Sequence, residues 1–186
     1  MADIPTVAPY FDLSFQHASP SVLRRMRRFG GKADFLELVD RIRAASPTAG
    51  IRTNVIVGFP GETEADVDTL ADFLATAQLD AIGVFGYSAE DGTEAADFDD
   101  ALPEHEVRAR VERIASVAEI VVQQRSTARI GSRVRVILES PVEGRADHQG
   151  PEDGVTLLSE GDYMPGDVVD ALVIAAEGAD LVARPL

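Results

Sequence analysis

Three short segments contain polar residues or glycine at the end of a predicted strand. Gln16-His17 ends the strand predicted from Tyr10 to Phe15, Gly58-Phe59-Pro60-Gly61 follows an apolar strand, and Tyr87-Ser88 closes a later one. Folds built on parallel strands form their ligand sites at the carboxyl ends of those strands. Glycine allows the backbone to approach a ligand closely, so residues 58–61 are a candidate ligand contact. The alternative is an ordinary strand-to-helix turn punctuated by proline and glycine.

The polar side chains near these strand ends each leave a functional and a structural interpretation open. Strand alternation sends only one of Gln16 and His17 inward, and we expect Gln16 to point inward while His17 has a structural role. Asn54 interrupts an apolar strand, and burying it unpaired would cost ~1–3 kcal/mol. We therefore expect Asn54 to have a partner, either a ligand or the backbone. Tyr87 borders a predicted pocket or packs in the core with its hydroxyl at the rim.

These residues are positioned by alternating strands and helices over the first two thirds of the chain. The predicted helices are 20–26, 34–45, one after Thr63, and 103–128, and the predicted strands are 10–15, 51–57 and 80–87. Connections of this length favour a parallel α/β sheet, and the contiguous Val55, Ile56 and Val57 are typical of a strand buried on both faces. We expect Glu62 and Thr63 to cap the helix that follows them.

The chain changes character near Arg129–Gly131, where we place a boundary between domains 1–129 and 130–186. Five short strands are predicted beyond it, at 133–139, 144–147, 155–158, 168–174 and 180–183, separated by turns rich in proline and glycine. This rhythm predicts a small antiparallel barrel. From Ile130 onward the chain has 4 basic and 11 acidic residues, a net charge of −7.

Composition limits the classes of partner. The net charge is −15 and Lys32 is the only lysine, which disfavours broad nucleic-acid binding. The absence of cysteine excludes thiolate ligands for zinc or iron–sulfur clusters, and the three histidines have no metal-site spacing. No apolar run approaches the ~20 residues needed to span a membrane, and Met1–Pro5 does not resemble a secretory signal. We therefore expect a cytoplasmic location.

Two runs of like charge are predicted to be solvated surface. The basic run is Arg24, Arg25, Arg27, Arg28 and Lys32, and the acidic run lies between Glu94 and Asp100. Such runs are usually solvent-facing. The alternative for the basic run is contact with carboxylates, either of a substrate or of another domain.

Four motifs, in collinear order over nearly the whole chain, resemble those of the radical-SAM methylthiotransferase family. The motifs are Phe15-Gln16-His17-Ala18-Ser19-Pro20 with the basic helix after it, Ile56-Val57-Gly58-Phe59-Pro60-Gly61-Glu62-Thr63, Phe85-Gly86-Tyr87-Ser88 with Gly92-Thr93, and Gly144-Arg145-Ala146-Asp147 with Pro165-Gly166-Asp167. The resemblance implies a partial (β/α) radical-SAM barrel at residues 1–129, followed by a small all-β, OB-like TRAM barrel at residues 130–186.

Within that family, Gln16-His17 followed by a small residue resembles the RimO type, which methylthiolates an aspartate of a small-subunit ribosomal protein. The acidic tail independently suits a basic protein partner better than RNA. The alternatives are a non-catalytic docking module for a ribosomal protein, a fragment of a transfer-RNA adenosine methylthiotransferase, and a TRAM-based RNA-binding protein.

The resemblance also implies cofactors that this chain could only partly hold. The family uses S-adenosylmethionine and two [4Fe–4S] clusters, whose cysteine ligands are absent from this sequence. We therefore expect the chain to be inactive alone and to pair with an amino-terminal half. By resemblance, the residues that would contact S-adenosylmethionine are Gln16, Asn54, Gly58, Phe59, Pro60 and Tyr87, with Phe59 lying against the adenine.

Overall fold

The computed structural model describes residues 7–186, and the segment Met1–Pro5 considered above lies outside the described residues. The first part of the chain contains strands β1 (Tyr10–Asp12), β2 (Gly50–Val57) and β3 (Ala81–Gly86), and helices α1 (Pro20–Arg25), α2 (Lys32–Ala45), α3 (Glu64–Ala77) and α4 (Glu104–Thr127). A short 3-10 helix, Glu94–Asp97, lies in the loop before α4. Within the described residues no helix is both long and apolar enough to cross a membrane.

The three strands form a parallel sheet in the order β1-β2-β3, as the strand and helix spacing predicted. One face of β2 is packed against the helices, where Ile51, Val55 and Val57 are fully buried with apolar residues of α2, α3 and α4. The opposite face is only half-buried at Arg52, Asn54 and Ile56. The prediction that β2 is buried on both faces was therefore wrong, because among the described residues helices cover only one side of the sheet.

The helix predicted after Thr63 is confirmed, and its start is capped as the sequence indicated. The Thr63 hydroxyl accepts a hydrogen bond from the Asp66 amide, while the Asp66 carboxylate accepts one from the Thr63 amide. Burial would raise the pKa of the Asp66 carboxyl, but hydrogen bonds from Ser19, Ser21 and Thr63 outweigh that effect and hold the pKa well below its usual value. Asp66 thus joins the start of α1 to the start of α3.

The second part of the chain is a closed barrel of five strands in the order β4-β5-β6-β8-β7. The strands are β4 (Arg133–Leu138), β5 (Glu143–Ala146), β6 (Thr156–Leu158), β7 (Val168–Glu177) and β8 (Asp180–Pro185). We call this unit the small barrel. All five predicted strands are found, but the prediction of a purely antiparallel barrel was wrong, because β6 and β8 pair in parallel to close it. Its identity as a TRAM domain, and the boundary near Arg129–Gly131, stay predictions.

The small barrel is docked on the amino-terminal ends of the parallel strands. The Tyr10 hydroxyl donates to Asp153 Oδ2 at 2.6 Å, and Arg52 Nε lies 3.1 Å from Asp153 Oδ1. Partial burial and the hydrogen bond to Asp153 raise the pKa of the Tyr10 hydroxyl. Gly50 has no room for a side chain, since a Cβ there would lie 1.9 Å from the His148 carbonyl oxygen.

Arg129, between α4 and β4, forms the second half of this junction. Its guanidinium donates to Asp80, to the Thr48 carbonyl oxygen at 3.2 Å and to the Ala49 carbonyl oxygen at 3.2 Å. The side chains of Arg129 and Asp80 are about nine-tenths buried. The arginine therefore fixes the connection between the two parts of the chain to the loop preceding β2.

Candidate functional site

A cleft of about 620 Å³ opens at the carboxyl-terminal ends of β2 and β3, on the half-buried face of the sheet. It lies at the opposite end of the strands from the small barrel. Because β2 has eight residues, the two ends of the sheet are separated by roughly 20–25 Å at the usual rise of a strand. The lining includes Gln16, Asn54, Phe59 and Tyr87, four of the six residues predicted to contact a cofactor.

The other two predicted residues, Gly58 and Pro60, do not line the cleft. A Cβ on Gly58 would lie 2.7 Å from Cγ1 of Val107, so this glycine allows the β2 end to pack against α4. The Pro60 carbonyl oxygen accepts a hydrogen bond from Arg25 Nε at 2.9 Å. Both residues shape the turn behind the cleft, which agrees with the structural alternative for this glycine-proline segment. The cofactor roles of all six residues stay predictions.

Gln16 lies beyond β1, in a segment that pairs with β2 through an isolated bridge and contains one extra residue. Asp12 pairs with Arg52, but Gln16 pairs with Val55. The segment from Asp12 to Gln16 therefore advances four residues where β2 advances three. Such bulges re-aim side chains and are frequent beside functional sites. The Gln16 backbone has a φ of 67° and is held by hydrogen bonds to the Asn54 carbonyl oxygen and from the Ile56 amide.

Backbone strain is concentrated at this cleft. Among residues 7–186, the non-glycine residues with positive φ are Gln16, Arg27 and Gln78, and the first two line the cleft. The left-handed region costs roughly 1–3 kcal/mol for such residues and is most often tolerated at functional sites. Arg27 adopts it directly after α1, where its amide donates to the Arg24 carbonyl oxygen and the Arg28 amide donates to that of Leu23.

Two buried polar atoms of the cleft, Asn54 Oδ1 and Tyr87 Oη, have no hydrogen-bond partner among the described residues. Asn54 occupies space left by Gly83, where a Cβ would lie 2.3 Å from Oδ1. The expected protein partner of Asn54 is therefore not found for this oxygen. Because an unpartnered buried polar group costs roughly 1–3 kcal/mol, the cleft offers these two atoms to a ligand with complementary groups.

An aromatic cluster forms one side of the cleft. The Phe59 ring packs edge-on against Tyr87 at 5.1 Å and against Phe98 at 6.2 Å, measured between ring centroids. The Arg25 guanidinium lies 4.7 Å from the centroid of the Phe98 ring. Phe59 is only 6% exposed, so most of its surface is already covered by protein, leaving limited area for an adenine ring.

The charged runs predicted as solvated surface are joined to each other beside the cleft. Arg25 Nη2 donates to both oxygens of Asp100, at 2.6 and 2.9 Å, and Arg27 pairs with Glu94. All four residues are exposed, so the solvated interpretation is confirmed for them, and the sequence-based prediction lacked only their pairing. Sequence reasoning missed Phe98 and this pairing, although the opposite charges of the two runs were a usable signal. Arg28 also lines the cleft, and in the described part of the chain its side chain forms no ion pair or hydrogen bond.

A buried ionic network supports the cleft from behind. The Glu62 carboxylate accepts hydrogen bonds from the Gly58 amide, from Arg110 Nη1 at 3.0 Å and from His17 Nε2 at 3.0 Å. His17 Nδ1 accepts from the Ser19 amide at 2.9 Å, so the ring proton of neutral His17 lies on Nε2. The structural role expected for His17 agrees with these contacts. The expectation that Glu62 caps α3 was wrong, because only Thr63 does so.

The described residues contain no group of three or more histidine, cysteine, aspartate and glutamate side chains arranged to hold a metal ion. The sequence has no cysteine. This chain therefore supplies no thiolate to an iron–sulfur cluster. What the cleft offers is two unpartnered polar atoms, a strained glutamine, apolar walls and a cationic rim.

Comparison with known proteins gives a consistent family assignment. A family model, Radical SAM superfamily, matches residues 2–74. Ribosomal protein uS12 methylthiotransferases RimO of Nocardioides sp. and Saccharopolyspora erythraea are 56% and 57% identical to this chain over its full length. The RimO protein of Streptomyces coelicolor is 56% identical over 97% of the chain. The chain spans 41%, 40% and 38%, respectively, of the lengths of these relatives.

A solved structure, described as coproporphyrinogen III oxidase (HemN) from Escherichia coli, a radical SAM enzyme, has a similar fold. The TM-score is 0.50 at 19% sequence identity, and the match covers 66% of this chain and 28% of that one. At this identity the likeness concerns the fold alone. It agrees with the predicted α/β class and the partial radical-SAM barrel.

Proposed function

Because this chain belongs, as one segment, to the radical-SAM methylthiotransferase family, we propose that it forms the carboxyl-terminal part of an enzyme that methylthiolates an aspartate of ribosomal protein uS12. Its cleft would supply one wall of the S-adenosylmethionine site. The observation that supports the cofactor site is the pair of buried, unpartnered atoms Asn54 Oδ1 and Tyr87 Oη in the cleft. Both atoms can hydrogen-bond to a nucleoside or an amino-acid group.

The residues present fit S-adenosylmethionine. Gln16, Asn54 and Tyr87 would hold its polar groups, while Ile56 and Phe85 provide apolar surface on the same side of the sheet. Phe59 would support Tyr87 from behind rather than cover the adenine, since Phe59 is itself buried. When bound beside a reduced iron–sulfur cluster, S-adenosylmethionine supplies the radical chemistry of the family. The contribution of this chain is binding and orientation.

The iron–sulfur clusters would be held by another portion of the enzyme, because this sequence has no cysteine. That partner is the amino-terminal half, and the chain alone would be inactive. The small barrel, proposed to be a TRAM domain, has a net charge of −7 over residues 130–186. That charge suits a basic ribosomal protein and disfavours RNA. Since ribosomal proteins are modified where ribosomes are assembled, we place the chain in the cytoplasm.

The test is calorimetric titration of S-adenosylmethionine into this chain, anaerobically, with and without the amino-terminal portion of a RimO relative. We expect saturable binding when the two parts are combined. Gln16→Ala should weaken that binding roughly fivefold, as expected for loss of one hydrogen bond. Gln78→Ala is the matched control, since Gln78 also has a positive φ of 50° but lies at the end of α3, outside the cleft.

Absence of binding in both samples would refute the cofactor site and favour a non-catalytic module that docks a ribosomal protein. Equal weakening by the two glutamine variants would show that backbone strain, not a contact in the cleft, determines the effect.

A further inference from the structure

The rim of the cleft is cationic in a chain that is strongly acidic. The net charge is −15, yet Arg25, Arg27 and Arg28 all line this one cleft, with the acidic residues Glu94 in the lining and Asp100 on Arg25 beside them. A ligand that enters the cleft passes this rim before reaching the buried oxygens of Asn54 and Tyr87. The charge of the rim therefore favours a ligand that carries an anionic group at its outer end.

Of the three arginines, Arg28 alone has no ion-pair partner among the described side chains. Arg25 is occupied by Asp100, by the Pro60 carbonyl oxygen and by the Phe98 ring, and Arg27 is paired with Glu94. The Arg28 guanidinium has no partner among the described side chains and is exposed. Guanidinium groups bind carboxylates through two parallel hydrogen bonds, which gives direction as well as charge compensation.

The backbone holds Arg28 in place although its side chain is unpaired. Its amide donates to the Leu23 carbonyl oxygen at 2.7 Å, which closes the last turn of α1. The preceding residue, Arg27, is in the left-handed region with a φ of 55°. This strained turn redirects the chain at the cleft rim. The backbone of Arg28 is therefore held in place while its side chain is free. Such a side chain can bind an incoming ligand and does not stabilise the fold through an ion pair of its own.

We propose that Arg28 binds the carboxylate of the aspartate that the enzyme modifies, and so determines which substrate side chain enters the cleft. The inference rests on the proposed function. Holding that carboxylate would fix the adjacent carbon relative to a ligand bound on Gln16, Asn54 and Tyr87, which is how positioning residues contribute to rate. S-adenosylmethionine also carries a carboxylate, and the experiment separates the two sources.

The experiment compares two short synthetic peptides from the modified segment of uS12, one with the target aspartate and one with asparagine in its place. Their binding to the combined halves, with S-adenosylmethionine present, is measured by fluorescence anisotropy. We expect about a tenfold preference for the aspartate peptide, the usual size of a charge-assisted hydrogen-bonded contact. Arg28→Ala should abolish the preference and Arg28→Lys should retain part of it.

Arg24→Ala is the matched control, because Arg24 is exposed, lies in the last turn of α1 just before Arg28 and does not line the cleft. It should leave the preference unchanged. Equal affinity for the two peptides in the wild type, or no binding of either, would overturn the proposal while leaving S-adenosylmethionine binding, and with it the proposed function, intact.

A second arm titrates S-adenosylmethionine and 5′-methylthioadenosine, which lacks the carboxylate, into wild type and Arg28→Ala. If Arg28→Ala weakens the binding of S-adenosylmethionine but not that of 5′-methylthioadenosine, Arg28 contacts the carboxylate of the cofactor. That result would refute the substrate role. Absence of S-adenosylmethionine binding to the wild type would refute the proposed function and this inference together.

Discussion

Glu62 is the buried acid whose replacement should destabilise the chain most clearly. Its side chain is fully buried, and its two oxygens face three donors, the Gly58 amide, Arg110 Nη1 and His17 Nε2. In Glu62→Gln, the amide nitrogen must face one of these donors whichever way the group is turned. His17 cannot adapt by moving its proton to Nδ1, because Nδ1 already accepts a hydrogen bond from the Ser19 amide.

The expected cost combines two losses. A donor is left unsatisfied in the interior, and the Arg110 guanidinium, 9% exposed, loses its buried counter-charge. Breaking a buried ion pair by removing one partner typically costs about 3–5 kcal/mol. Arg110 also donates to Glu64, whose side chain is 69% exposed. That surface contact is worth at most about 1 kcal/mol, so it should offset only a small part of the loss.

The assay is urea and thermal unfolding followed by far-ultraviolet circular dichroism. We expect Glu62→Gln to lower Tm by about 10 °C, at 2–4 °C per kcal/mol for a chain of this size. Glu64→Gln is the matched control and should shift Tm by no more than about 3 °C. If the two variants differ by less than about 1 kcal/mol, the network does not act as a buried ion pair and the reasoning fails.

Two further predictions concern the junction with the small barrel and the floor of the cleft. Burial lowers the pKa of His148 from its ordinary value of 6.5, so the unfolded chain binds more protons as pH falls below about 6.5. The free energy of unfolding should therefore fall as the pH is lowered from about 6.5 toward 5, by at most about 1.4 kcal/mol per pH unit. His148→Gln should show a shallower decline in urea unfolding, and parallel curves would contradict this account. Asn54→Val should raise the free energy of unfolding by about 1 kcal/mol by removing an unpartnered oxygen, while weakening S-adenosylmethionine binding. A loss of both stability and binding would show that Asn54 has a structural partner.

Sequence patterns were sufficient for the elements whose signals are local. Thr63 was correctly expected to cap the start of α3, a role that depends on residues within one helical turn. The five strands of the small barrel followed from turn residues at short intervals. The parallel pairing of β6 with β8, which closes the barrel, could not be predicted in this way. Pairing between strands far apart in sequence leaves no local pattern.

The cleft was predicted only in part for the same reason. Gln16 was correctly expected to point inward, but the extra residue that turns it there is visible only when its pairing with Val55 is known. Glu62 looked like a helix cap because its partners, His17 and Arg110, lie 45 and 48 residues away. Gly58 and Pro60 were chosen for their residue types, and such residues serve a turn as readily as a ligand.

The positions of the cleft and the small barrel at opposite ends of the sheet restrict what a partner must look like. Tyr10, Gly50 and Asp80 tie the small barrel to the strand beginnings, while Gln16 and Tyr87 lie where the strands end. A ligand that touches both must span roughly 20–25 Å, which a nucleoside cannot do. A folded protein of about 100 residues, with a radius of gyration near 13 Å, can. Charge points the same way, since the rim of the cleft is rich in arginine while residues 130–186 carry a net −7. Under the proposed function, the two ends would contact different parts of one protein substrate, an acidic side chain at the cleft and a basic surface at the small barrel.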